Sequence, residues 1–111
     1  MLEIKDNVIG TSEQSVEKGD ILFMHYEGRL KNGKEFDSSR KRGQPFQFQI
    51  GNNSVIKGWE EGILGMKIGG KRTLNIPSEM GYGSSGAGAD IPPNADLTFD
   101  VELLHAWRPL K

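Results

Sequence analysis

The chemistry of this chain is concentrated at Val55-Ile56-Lys57-Gly58-Trp59-Glu60-Glu61-Gly62, where an indole follows two β-branched side chains. Tyr26, the Phe36-Asp37 pair and Phe46 lie upstream of it, and Tyr82 and Phe99 downstream, all in segments able to converge on one concavity. Aromatic surfaces gathered around a single carboxylate make an apolar pocket with a few polar handles. They do not make a metal centre or a nucleophilic triad. Cysteine is absent, which removes thiolate catalysis, disulfides and Cys-based zinc sites. His25 and His105 are the only histidines, both on strand patterns and without ligand-like spacing, so surface or hydrogen-bonded positions are expected for them. Gly81-x-Gly83-x-x-Gly86 matches a dinucleotide fingerprint as a string. The segment that follows, Ala87 to Pro93, cannot propagate the helix on which that fingerprint depends.

The elements that must position these residues are mostly strands. Leu22, Met24, Tyr26, Gly28 and Leu30 share one parity, and Phe23, His25, Glu27 and Arg29 the other. Asn32-Gly33 then signals a hairpin, with Phe36 opening the return strand. Phe46, Phe48 and Ile50 alternate with Gln47 and Gln49; Lys71 to Ile76 alternates up to Pro77; and Leu97, Phe99, Val101 and Leu103 alternate with polar residues. Each pattern predicts an antiparallel strand with one dry face. The one helical candidate runs from about Lys57 to Met66, with Trp59, Ile63 and Met66 at helical spacing and Glu60 and Glu61 in the first turn. Its glycines, Gly58, Gly62 and Gly65, each cost roughly 0.5–1 kcal/mol against Ala, so the helix must be held by packing on a sheet. The expected fold class is therefore α+β, a twisted antiparallel β-sheet wrapped around one short α-helix. Gly81 to Pro93 is the only long irregular segment, and such loops are usually functional.

With 111 residues the chain is expected to form one domain, residues 1–111, able to bury a core without staples. The net charge of −1 argues against a dedicated nucleic-acid or anionic-membrane surface. No apolar run approaches the roughly 20 residues that span a bilayer, and the opening Met-Leu-Glu-Ile-Lys-Asp has no signal-peptide pattern. A soluble, cytoplasmic protein is the expectation. Arg40-Lys41-Arg42 reads as a solvated loop in which only Arg42 is a candidate for pairing.

Four runs carry a family resemblance: Gly33-Lys34-Glu35-Phe36-Asp37-Ser38-Ser39, Val55 through Gly62, Gly81-Tyr82-Gly83 and Ile91-Pro92-Pro93-Asn94-Ala95. In this order and spacing, over about residues 17–104, the chain resembles the FKBP-type peptidyl-prolyl isomerases, immunophilins that bind macrolides such as tacrolimus and rapamycin. The resemblance implies a cofactor-free, metal-free monomer that rotates X–Pro bonds of peptides and proteins and so assists folding. It also implies a pocket of Tyr26, Phe36, Asp37, Phe46, Val55, Ile56, Trp59, Tyr82, Ile91 and Phe99, with Arg42 as the charge partner of Asp37. Trp59 would form the floor, while the Ile56 N–H and the Tyr82 hydroxyl would donate to substrate or ligand carbonyls. Tyr26, Asp37, Trp59, Tyr82 and Phe99 are the residues implied in catalysis. Asp37 would either orient a substrate group or act electrostatically on the rotating carbonyl. Read alone, Asp37 before Ser38-Ser39 is a turn or helix-cap residue, and Tyr26, Phe46 and Phe99 are core. Asp90 and Ala87 depart from the family pattern, which commonly has an aliphatic residue at the first position and a larger residue at the second. A carboxylate at position 90 is expected to face solvent and open the rim. The tail Ala106 to Lys111 extends beyond the resemblance, with no role assigned.

Overall fold

A computed structural model describes residues 1–109. Six strands form one antiparallel sheet: β1 (Glu3–Val8), β2 (Ile21–Leu30), β3 (Glu35–Ser38), β4 (Phe46–Gln49), β5 (Lys71–Ile76) and β6 (Leu97–Trp107). The order across it is β1-β5-β6-β2-β3, with β4 also pairing β2. β6 covers one edge of β2 along its whole length. The other edge is shared, β4 pairing Ile21 to Met24 and β3 pairing Glu27 to Arg29. The predicted parities hold: Leu22, Met24, Tyr26, Leu74, Ile76, Leu97, Phe99, Val101 and Leu103 are all buried. They form one core with Trp59, Ile63 and Met66.

The one α-helix among the described residues, α1 (Lys57–Gly62), packs against β5. It is shorter than the apolar spacing predicts. Ile63 is its C-cap and Gly65 has φ +86°, so the chain turns out of the helix there. Ile63 and Met66 remain buried because a turn, closed by Met66 N–H on the Ile63 carbonyl, returns them to the core. Arg72 on β5 donates to the Gly62 and Leu64 carbonyls at 2.9 and 2.7 Å. A cation at a helix C-terminus satisfies orphan carbonyls and complements the helix dipole. The cost of Gly58 also has its reason. A Cβ there would lie 2.6 Å from Ile76 Cγ2, so glycine lets the helix settle directly on β5.

β1 has no counterpart in the sequence pattern. All six of its residues are exposed, so no dry face disciplines their alternation, and a register shift between Asp6 and Val8 breaks the period. β6 runs four residues further than the alternation ending at Leu103, through Trp107. The tail therefore begins inside the sheet, and Leu110 and Lys111 lie outside the described residues. Asn32-Gly33 forms its expected turn, with Gly33 at φ +90° and its N–H on the Leu30 carbonyl at 2.9 Å.

Candidate active site

Each wall of the inner hollow comes from a different element. Tyr26 stands on β2, Phe36 and Asp37 on β3, Phe46 at the start of β4, Trp59 on α1 and Phe99 on β6. Trp59 is met edge-on by Tyr26 (centroids 4.9 Å, 82°) and by Phe99 (5.3 Å, 83°), with Phe48 behind it at 5.6 Å. Phe36 stands perpendicular to Phe99 at 5.5 Å. Edge-to-face pairs of this kind are worth about 0.5–1.5 kcal/mol each beyond their buried area, which fixes the rings around a space rather than filling it. Gly28 makes the approach possible, because a Cβ there would lie 2.7 Å from Phe36 and 2.8 Å from Phe99. Tyr26, Phe36, Phe46, Trp59 and Phe99, together with Asp37, Ser54, Val55, Ile56 and Tyr82, line a hollow of about 360 Å³.

One side of the hollow is polar and locked. The Tyr26 hydroxyl donates to Asp37 Oδ2 at 2.5 Å. Arg42 Nη1 pairs with Asp37 Oδ1, and Arg42 Nη2 donates to the Tyr26 oxygen at 3.0 Å. The guanidinium carbon lies 5.5 Å from the Tyr26 ring centre, within cation–π range. Burial raises the Tyr26 phenol above its ordinary pKa, and its hydrogen bond to Asp37 adds to the rise. It therefore stays protonated as a fixed donor at any physiological pH. Burial also raises the Tyr82 phenol, helped by the nearby Asp37 charge. Tyr82 is 39% exposed and caps a short 3-10 turn, Gly83–Ser85. Ile56 is the N-cap of α1 in an extended conformation; its carbonyl accepts from Trp59 and Glu60.

Most of the residues expected from the sequence meet here, with two qualifications. Arg42 stands behind Asp37 rather than on the wall. Ile91 is not on the wall either; it is buried in the core, where an antiparallel bridge to Ala87 closes the loop beside the hollow. Asp90 is exposed, as the cost of burying a carboxylate requires. The basic run also differs from expectation, since all three of its residues are paired: Arg40 with Glu102, Lys41 with Glu35 at 3.2 Å and Arg42 with Asp37.

Two contributors escaped the sequence. Ser54 lines the hollow beside Val55. Glu60, expected only to complement the helix dipole, is 8% exposed and accepts the Gly51 N–H at 2.6 Å. It ties the loop bearing Ser54, Val55 and Ile56 to the helix beneath. Its first-turn position was the only signal, and that reads as solvent-facing. Among the described residues Trp59 Nε1 and Glu60 Oε2 are buried without partners, so the desolvation cost of two polar atoms falls on the segment that floors the hollow.

Fold and site together define a small α+β domain with an aromatic hollow, no cysteine or histidine on its walls, and one fixed carboxylate. Such a site acts by enclosing what it binds. The chain belongs to the FKBP-type peptidyl-prolyl cis-trans isomerase family, whose model matches residues 12–104. It is 54% identical over 106 residues to an FK506-binding protein of Neisseria meningitidis serogroup B, covering 96% of each chain. It is 50% identical to FK506-binding protein 2 of Kluyveromyces lactis, over 96% of this chain and 81% of that relative. Against peptidyl-prolyl cis-trans isomerase FKBP2 of Mus musculus it is 59% identical over 91 residues and spans 65% of that protein's length. The crystal structure of AtFKBP13 superposes with a TM-score of 0.89 at 44% identity, covering 96% of this chain and 93% of that one. The reaction of this family is rotation about X–Pro peptide bonds.

Proposed function

We propose that the X–Pro bond turns inside the hollow of Tyr26, Trp59 and Phe99, without any covalent intermediate. The observation that carries this reading is the convergence of aromatic rings on an open space whose only charged wall residue is already paired. Rotation about a peptide C–N bond must break amide resonance, a barrier of about 18–20 kcal/mol. For X–Pro the two isomers differ by only about 0.5–1 kcal/mol, yet exchange takes tens to hundreds of seconds unaided. The enzyme has to favour the orthogonal amide over both planar ones.

The planar amide is the more dipolar state, since resonance places negative charge on its oxygen. Water stabilises that charge separation, and an aromatic enclosure does not. A prolyl ring against Trp59 and Phe99 therefore raises the planar ground state more than the twisted state, with about 1.4 kcal/mol of difference giving tenfold in rate. The Ile56 N–H and the Tyr82 hydroxyl are donors for the flanking carbonyls, each worth about 0.5–1.5 kcal/mol net. Asp37, locked by Tyr26 and Arg42, presents its charge to the rotating carbonyl from a fixed position. The same wall supports binding of a tacrolimus-type macrolide, consistent with the names of the relatives.

A protease-coupled assay on an Ala-Leu-Pro-Phe type peptide tests the proposal. One equivalent of macrolide is expected to abolish the acceleration, while a nucleophile-directed reagent leaves it untouched. Inactivation by that reagent with the hollow still open would contradict a non-covalent route.

A further inference from the structure

We infer that Ser39 is a positioning residue for this reaction, holding the strand segment that presents Tyr26, and through it Asp37, to the hollow. This role rests on the hollow being the place where the bond turns. It starts from a gap in the sheet. On the edge of β2 away from β6, β4 ends its pairing at Met24 and β3 begins at Glu27, so neither strand serves Tyr26. A buried residue in such a gap would leave an N–H and a C=O without partners, which native structures almost never allow.

Ser39 supplies both partners. It is fully buried, at 0% exposure. Its N–H donates to the Tyr26 carbonyl at 3.0 Å, and its Oγ accepts the Tyr26 N–H at 2.7 Å. The same Oγ lies 2.8 Å from His25 Nδ1 and 3.3 Å from the Tyr26 carbonyl oxygen. A hydroxyl can accept from one group while donating to another, and here it stands in for a strand residue that β3, ending at Ser38, does not provide.

The consequence reaches the site along two covalent paths. Tyr26 bears the phenol that donates to Asp37, and Asp37 lies two residues before Ser39. Ser39 also opens the loop that carries Arg42; its carbonyl accepts the Gln44 N–H at 3.4 Å. One buried serine thus fixes the backbone behind each member of the Tyr26–Asp37–Arg42 cluster. It touches neither the hollow nor its occupant, so its contribution is geometry.

Ser39→Ala and Ser39→Cys test the role, the second filling the side-chain space with a slightly larger atom while weakening the acceptor. The chain has two tyrosines, so 3-fluorotyrosine labelling gives two ¹⁹F lines, separable with Tyr82→Phe. Well below its melting temperature, each variant is expected to lose about tenfold in kcat/KM, mostly in kcat. The Tyr26 line should move and the Tyr82 line should stay. In the unsubstituted protein the Tyr26 amide should be among the slowest to exchange with solvent. A folded variant within about twofold of the parent in kcat/KM, with its Tyr26 line unmoved, overturns the role. So does a rapidly exchanging Tyr26 amide, a measurement that needs no variant to fold. A parent that fails to accelerate X–Pro exchange defeats the functional reading instead, while the ¹⁹F line and the amide still decide whether Ser39 holds Tyr26.

Discussion

Two hollows, one lined by Tyr26 of β2 and one just ahead of that strand, are each lined by an aspartate paired with an arginine. Beside Tyr26 the pair is Asp37 and Arg42, five residues apart, on the rim of an aromatic space of about 360 Å³. Just before the strand begins the pair is Asp20 and Arg108, 88 residues apart, beside a smaller hollow of about 230 Å³. Arg108 there donates to Asp20 at 2.8 and 3.2 Å, reaches Glu17 at 2.9 Å, and extends to the Ser15 carbonyl at 3.3 Å. The sequence separation tells the two apart. A contact over 88 residues clasps the end of β6 to the start of β2 and so contributes to the folded state as a whole. A contact over five residues closes almost no chain, and its use is to hold Asp37 and the Tyr26 phenol still. The walls differ likewise: the first hollow is enclosed by rings, while the only ring at the second is Trp107, 48% exposed.

Substitutions should therefore separate activity from stability. The largest effect is expected at the aromatic floor: Trp59→Leu should lower kcat/KM by about a hundredfold with the domain still folded. Equal loss of both, seen by circular dichroism at the assay temperature, would mean that the ring serves only the core. Next, Asp37→Ala should cost about tenfold in kcat/KM with only a small change in melting temperature, since of the two groups it releases Arg42 is half-exposed and the Tyr26 hydroxyl lies on the hollow. Arg108→Ala should do the reverse. Losing its bonds to the buried Asp20 should lower the melting temperature by several degrees, with kcat/KM unchanged.

The smallest effect concerns acid. The Arg108 fork holds the Asp20 carboxyl below its ordinary value of 3.8 against the opposing effect of burial, with the Glu17 N–H assisting. A depressed carboxylate stabilises the fold above its unfolded pKa and loses that contribution as pH falls through the folded value. Asp20→Asn keeps an acceptor for the Glu17 N–H but removes the charge. Its deficit in melting temperature should be full near neutral pH and shrink as the pH falls below about 3.8. A deficit that does not change with pH would show that packing, not charge, holds the clasp.

How much of this was legible in the sequence follows from which partners each residue has. Leu22, Met24 and Tyr26, or Phe99 and Val101, announce their strand and their inward face because burial enforces a period of two. Tyr26, Phe46 and Phe99 share those inward parities, and Trp59 keeps a helical spacing, so these rings of the hollow too could be found. β1 gave no signal because neither face of it is dry. The end of α1 was misplaced because Ile63 and Met66 keep the helical spacing and the burial while the backbone between them turns at Gly65. Ser39, Glu60 and Arg108 were hidden for another reason. Their partners are backbone atoms and carboxylates brought near only by the tertiary fold, and no local pattern records that.

Cis–trans exchange of an X–Pro tetrapeptide, followed by NMR at equilibrium with a catalytic amount of protein, tests the central claim without a coupling enzyme. The parent should broaden and merge the paired proline resonances, Arg108→Ala should match it, and Trp59→Leu should leave the two sets nearly as sharp as in buffer. Saturable binding of the peptide by the parent, with the exchange rate unmoved, would contradict the account.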